Sequence, residues 1–182
     1  MANMCDFSMK LVGKNENIEK FYKVLTQDGD IWMGRGGADT VIDKHEGYAF
    51  IFGWCKWSIQ SAMIYDALSM QKQKESGIGN WYGIDKNDKH EYITLWEACR
   101  KFNLDMEVYS KESGYEFQEH YLFKDGNIQY VDCVKYYEYY IADYKNKKEA
   151  EKELGIQITN DEWENEEYIC RGGFADYEDF EI

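Results

Sequence analysis

Residues 105–141 read DMEVYSKESGYEFQEHYLFKDGNIQYVDCVKYYEYYI. Three stretches within it, 105–110, 115–124 and 127–141, are rich in aromatic and β-branched residues, which pack well on a pleated surface and so favour strands. Glu112-Ser113-Gly114 separates the first two, and Lys124-Asp125-Gly126-Asn127 the last two. An Asp-Gly pair between strand-like runs is the chemistry of a two-residue hairpin, whose central positions both need positive φ. The stretch therefore predicts an antiparallel meander. Alternation divides its tyrosine run, with Tyr137 and Tyr139 on one face and Tyr136 and Tyr140 on the other. Three uses suit such a run: core plus surface, a protein contact, or a platform for stacked bases.

Upstream, 5–12 alternates with Phe7, Met9 and Leu11 on one face, a half-buried strand. Asn15 or Asn17 can cap a helix whose apolar set is Ile18, Phe21, Tyr22 and Leu25. A Gly-rich stretch, 28–37, leads to two strand-like runs, 39–43 and 48–56, joined as a hairpin by Lys44-His45-Glu46-Gly47. Ser58 can cap a helix through about Gln71, and 74–89 is a polar loop. Thr94-Leu95-Trp96-Glu97 has the form of a capping box that opens a short helix before the meander.

Downstream, 145–154 is helix-prone and Gly155 stops it. Thr159 with Glu162 starts a second short helix, expected over 160–169, and the last dozen residues carry no regular pattern. The element order segregates helices from a largely antiparallel sheet, the α+β class. The opening strand-helix-strand-strand-helix-strand order is compatible with a ferredoxin-like sandwich. The expected architecture is a ferredoxin-like antiparallel sheet with helices on one face, extended by a C-terminal meander and an acidic helical tail. The expected boundaries are 1–144 for the α+β domain and 145–182 for an acidic helical extension packed on it.

Charge is unevenly distributed. The 182 residues carry 35 acidic and 21 basic side chains, a net of -14, of which -10 falls within 149–182. Such a segment repels phosphate backbones. It serves either as a solvated face or as a surface for a basic partner. Asp161, Glu162, Glu164, Glu166, Glu167, Asp176, Glu178 and Asp179 are interleaved with Trp163, Tyr168, Phe174, Tyr177 and Phe180. Carboxylates give fast, salt-sensitive association, and aromatics supply anchors that a pure solubility tail does not need.

Catalytic chemistry finds little footing. The five cysteines are odd in number, evenly spaced and free of CxxC, which predicts buried thiols in a reducing compartment rather than a disulfide framework. His45, His90 and His120 have no zinc-finger or HExxH spacing, so no metal and no cofactor is expected. Two Arg-Gly-Gly strings, at 35–37 and 171–173, lack the Gly-Lys-Ser/Thr of a P-loop. Sharp turns are the plainer use for them, phosphate or partner contact the other. No apolar run reaches membrane-spanning length, and 1–10 lacks the pattern of a signal peptide, so a cytoplasmic location is expected. A nuclease or transferase would need motifs that this chain does not carry.

Phe52-Gly53-Trp54-Cys55-Lys56-Trp57 closes a strand and opens a helix. It resembles the Trp-x-x-Lys-Trp signature of the YubB-like ferredoxin-like proteins of plasmids and phages, with Trp54, Lys56 and Trp57 retained at shorter spacing. The helix followed by 104–109, 112–117 and the strand pair around Asp125-Gly126 is similar to that family's order, over roughly 4–135. In length, acidity and Pro-free, Lys/Asn/Ile/Tyr-rich composition the chain as a whole resembles phage-encoded type II-A anti-CRISPR proteins. That resemblance implies a non-enzymatic inhibitor, working in the cytoplasm of a bacterial host, that binds Cas9 or the Cas9–guide RNA complex and blocks target DNA binding or cleavage. Its acidic surface would stand in for DNA against the cations that normally hold it. A YubB-like accessory protein with a different macromolecular partner is the alternative. Direct DNA contact and a membrane role are not expected.

Overall fold

The computed structural model describes residues 4–26, 31, 40–56, 58, 59 and 93–182. It is a mixed α+β structure built on a seven-stranded antiparallel sheet, with four helices among the described residues. The strands are β1 (Met4–Val12), β2 (Val41–Lys44), β3 (Tyr48–Lys56), β4 (Asp105–Glu112), β5 (Phe117–Lys124), β6 (Asn127–Tyr140) and β7 (Tyr168–Gly172). The helices are α1 (Asn15–Thr26), α2 (Leu95–Phe102), α3 (Lys147–Leu154) and α4 (Asn160–Asn165). The strand order is β2-β3-β1-β4-β5-β6-β7. β1 therefore lies between β3 and β4, with every pairing antiparallel.

The meander forms as its turns dictate. Asp125 and Gly126 take φ of 51° and 77°, the two positive values that a tight hairpin needs, and Lys124 pairs with Asn127 across them. The Glu112 carboxylate accepts the N–H groups of Gly114 and Tyr115 and so closes the β4–β5 turn.

Alternation then sets two faces. Cys5, Phe7, Met9 and Leu11 of β1, Ala49 and Ile51 of β3, Met106 and Val108 of β4, and Tyr121 and Phe123 of β5 share one core. Ile18, Phe21, Val24 and Leu25 of α1 and Leu95, Ala98 and Cys99 of α2 cover it. Both helices thus lie on the same face. Thr94 and Glu97 make the expected capping box on α2, and Asn103 in the left-handed conformation ends it. The expected helix from Ser58 through Gln71, the Gly-rich stretch 28–37 and the loop 74–89 lie outside the described residues, apart from Ser58, Ile59 and Ile31.

The C-terminal region differs from the sequence expectation in one element. Gly155 ends α3, and Thr159 and Glu162 cap α4, as read, while Asn146 caps the start of α3. However, α4 ends at Asn165 instead of near 169, because Glu166 turns extended. Tyr168–Gly172 pairs with Tyr136–Tyr140 as β7. The aromatic and β-branched pair Tyr168-Ile169 gains a ladder and a core there, which a helix end would not supply. Ile141, Ala150, Ile158 and Ile169 form a second, smaller core, with Tyr144, Leu154, Ile156 and Trp163 at its margin. The acidic extension is therefore helix, helix, strand and strap, joined to the main sheet through β6.

Candidate partner-binding surface

The acidic surface is built on α4. The Thr159 hydroxyl accepts the Glu162 N–H, and the Glu162 carboxylate accepts the Thr159 N–H at 2.8 Å. The same carboxylate is gripped by Arg171, whose guanidinium donates at 2.7 and 3.1 Å and also bonds the Gln157 carbonyl at 2.7 Å. Arg171 and then the Thr159 N–H hold the Glu162 carboxyl well below the usual carboxylate range, at about 2, and the Arg171 pKa is raised in turn. Trp163 turns toward the small core. Asp161, Glu164, Glu166 and Glu167 are exposed. Of the residues read from sequence as binding carboxylates, Glu162 thus holds the scaffold, and its four neighbours are displayed.

Gly172 and Gly173, at φ of 74° and 77°, then turn the chain back over the sheet. A Cβ on Gly172 would meet the Lys135 carbonyl oxygen at 2.6 Å, so the second Arg-Gly-Gly string is a turn that only glycine can make. The segment 174–182 crosses the sheet face opposite α1 and α2. The Phe174 N–H donates to Gln118 at 2.8 Å, Ser8 donates to Glu178 at 2.5 Å, and the N–H groups of Glu181 and Ile182 donate to Glu107 at 2.7 and 3.2 Å. The Tyr109 ring meets those of Phe174, Tyr177 and Phe180 at 6.0, 5.4 and 5.5 Å. Phe180 also reaches Phe50 at 5.5 Å. Beneath this strap Glu107 is fully buried and pairs with His120 at 2.8 Å, and His120 stacks on Tyr109 at 4.0 Å. Burial pushes the hydroxyl pKa values of Tyr109 and Tyr177 up.

Phe174 and Tyr177, read from sequence as partner anchors, are therefore internal anchors, while Asp176, Glu178 and Asp179 remain exposed. Sequence reasoning missed the strap's seat, formed by Ser8, Phe50, Glu107, Tyr109, Gln118 and His120. A polar-aromatic alternation on β4 was its signal.

The remaining features are placed as follows. Trp54 is half-buried on β3, Lys56 ends that strand, and Trp57 lies outside the described residues. The first Arg-Gly-Gly string and His90 also lie outside them. Tyr136 is buried with its hydroxyl on Glu138 at 2.6 Å, whereas Tyr137 and Tyr140 are exposed at the β6–β7 edge. Three thiols, Cys5, Cys55 and Cys99, are buried as expected, but Cys133, on β6 at the margin of the main core, and Cys170, on β7 beside inward-facing Ile169, are exposed. Among the described residues no group of three His, Cys, Asp or Glu side chains is arranged to hold a metal ion, and no helix is long and apolar enough to cross a membrane. No protein-family model, curated protein or solved structure matches the chain.

Proposed function

We infer that this chain is a non-catalytic binding protein whose acidic C-terminal third occupies a basic, nucleic-acid-binding protein surface. The resemblance to type II-A anti-CRISPR proteins makes the Cas9–guide RNA complex its partner, with target DNA binding or cleavage as the step blocked. The observation that carries the reading is the outward display of Asp161, Glu164, Glu166 and Glu167 on a capped, Arg-braced turn. Trp163 turns inward, and Tyr168 stays exposed beside Glu167 against Tyr140, so the surface presents negative charge at fixed positions with one aromatic pair at its margin. Fixed carboxylates compete for Arg and Lys that otherwise hold DNA.

The ferredoxin-like reading of the core is supported by the order β2-β3-β1-β4, with α1 after β1 and α2 before β4. In this reading the core is a rigid frame for the acidic surface.

The test is capture on immobilised Cas9–guide complex, paired with a target-cleavage assay, for the wild-type chain and for D161N/E164Q/E166Q/E167Q. None of these four side chains caps a helix or enters a core. The expected result is at least about a tenfold loss of affinity in the variant, with wild-type binding falling steeply as salt rises. Equal binding by both proteins, or none by the wild type, would overturn the reading.

A further inference from the structure

The face beneath the strap has a chemistry of its own. Tyr48, Phe50 and Phe52 project from β3 on the side away from the helices, since Ala49 and Ile51 point into the helix-side core. Their rings run in a row. Tyr48 meets Phe50 at 5.8 Å, Phe50 meets Phe52 at 6.3 Å, and His45 stacks on Tyr48 at 4.6 Å. Lys10 of β1 stands 5.7 and 5.8 Å from the Tyr48 and Phe50 rings. Phe180 then links this row to a second one, Tyr109, His120 and Tyr130.

Gly47-Tyr48-Ala49-Phe50-Ile51 also follows the glycine-aromatic-small-aromatic-aliphatic order that RNA-recognition sheets place on a central strand. In such sheets the two aromatics are the rings that stack bases. Two positions depart from that order: Glu46 stands where a basic residue precedes the glycine, and Gly53 stands at the last aromatic position.

The strap supplies the second, independent observation. Its rings at 174, 177 and 180 pack edge-on against Tyr109 on the aromatic face, while Asp176, Asp179 and Glu181 are exposed to solvent. Rings on the platform and negative charges outside is also the layout of a single-stranded nucleic acid on an aromatic sheet, although the strap's rings meet the platform by their edges where bases would stack. We propose that the sheet face carrying Tyr48, Phe50, Tyr109 and His120 is a binding site for single-stranded nucleic acid, and that the segment 174–182 occupies it in cis as a mimic of that ligand.

Stacking supplies the affinity here, with Lys10 and Lys111 as the described cations on the face. The salt dependence is accordingly shallow, in contrast with that of the α4 surface. The site is separate from the α4 carboxylates, so either reading fails without the other.

The experiment uses the full chain and a 5′-labelled, mixed-base RNA 12-mer followed by fluorescence anisotropy. F174A/F180A loosens the strap and leaves α4 and the helix-side core intact. It is expected to bind at least about tenfold more tightly than the wild type, and Y48A/F50A added to it is expected to abolish the gain. In the unmodified chain, saturating oligonucleotide is expected to speed hydrogen exchange at the amides of Glu181 and Ile182, because strap and ligand exclude each other. That second measurement holds even where the variant folds poorly: unchanged exchange overturns the proposal. So does a folded F174A/F180A that binds no oligonucleotide. Recapture of a synthetic 174–182 peptide without oligonucleotide binding also overturns it, and assigns the face to acidic peptides.

Discussion

The Glu107 carboxylate lies 2.8 Å from the His120 imidazole at the centre of the sheet, and its other oxygen accepts the N–H groups of Glu181 and Ile182. One buried carboxylate thus fixes both a cross-strand histidine and the end of the strap, 74 and 75 residues further along the chain.

Removing that charge uncouples the strap. In Glu107→Leu the two backbone N–H groups of the strap lose their acceptor, and the His120 ring nitrogen loses its carboxylate partner. The expected cost is about 3 kcal/mol, as for buried donors left without an acceptor. Urea unfolding measures it, and faster exchange of the 181 and 182 amides locates it. A variant as stable as the wild type with unchanged exchange would show that the strap is held by its rings alone.

Glu162 gives the protein an acid-sensitive brace. Its folded pKa, about 2, lies below the usual carboxylate value, so its contribution is fully present above that usual value and is lost as pH falls through about 2. Glu162→Gln is expected to cost about 1 kcal/mol at neutral pH, since the cap and a half-exposed pair are both modest. Melting temperatures of the two proteins, taken from pH 7 to pH 2, are expected to converge toward the acid end. A gap that is constant with pH contradicts the assignment.

Gly172 is required by its conformation and by contact. Gly172→Ala places a methyl against the Lys135 carbonyl at a positive φ, with an expected cost of about 1–3 kcal/mol. Loss of β7 pairing, read by hydrogen exchange at Tyr137 and Tyr139, would accompany it. An alanine variant with unchanged stability would refute the tight turn.

The Tyr109 hydroxyl is buried and has no hydrogen-bond partner among the described residues. Tyr109→Phe keeps all four ring contacts and removes an unsatisfied group, so it is expected to raise stability by about 1 kcal/mol. Chemical denaturation decides the sign, and a clear loss would reveal a partner for that hydroxyl.

Thiol reactivity reports which parts of the sheet are covered. Cys170 and Cys133 are expected to react with a thiol reagent in the native protein, and Cys5, Cys55 and Cys99 only on unfolding. Cys133 is expected to be slow at neutral pH, because partial burial, followed by the nearby Glu119, raises its pKa. Five rapid thiols in the native state would contradict the packing of β1 against β3.

Much of the fold was legible because its signals are short-range. The Asp125-Gly126 turn, the Thr94–Glu97 and Thr159–Glu162 capping boxes and the Phe7-Met9-Leu11 alternation each involve residues within a few positions of one another. The candidate site was legible only in part. The acidic residues were identified, but the roles of Phe174 and Tyr177 were read outward when they face inward. An aromatic that faces a partner and one that faces its own sheet leave the same mark in a sequence, and β7 was hidden because two strand-forming residues followed a helix without a turn signal between them.

By itself the sequence determined an α+β chain with an antiparallel meander and concentrated its acidity in the last 34 residues. Local backbone preference and side-chain periodicity suffice for that. Only the tertiary structure decided where the acidic end goes, because its anchors are distant in the chain: Ser8 with Glu178, Gln118 with Phe174, and Phe50 and Tyr109 with Phe180. The rings at 174, 177 and 180 leave water only if a complementary aromatic surface has already formed, and that surface exists only once β3, β1, β4 and β5 have paired.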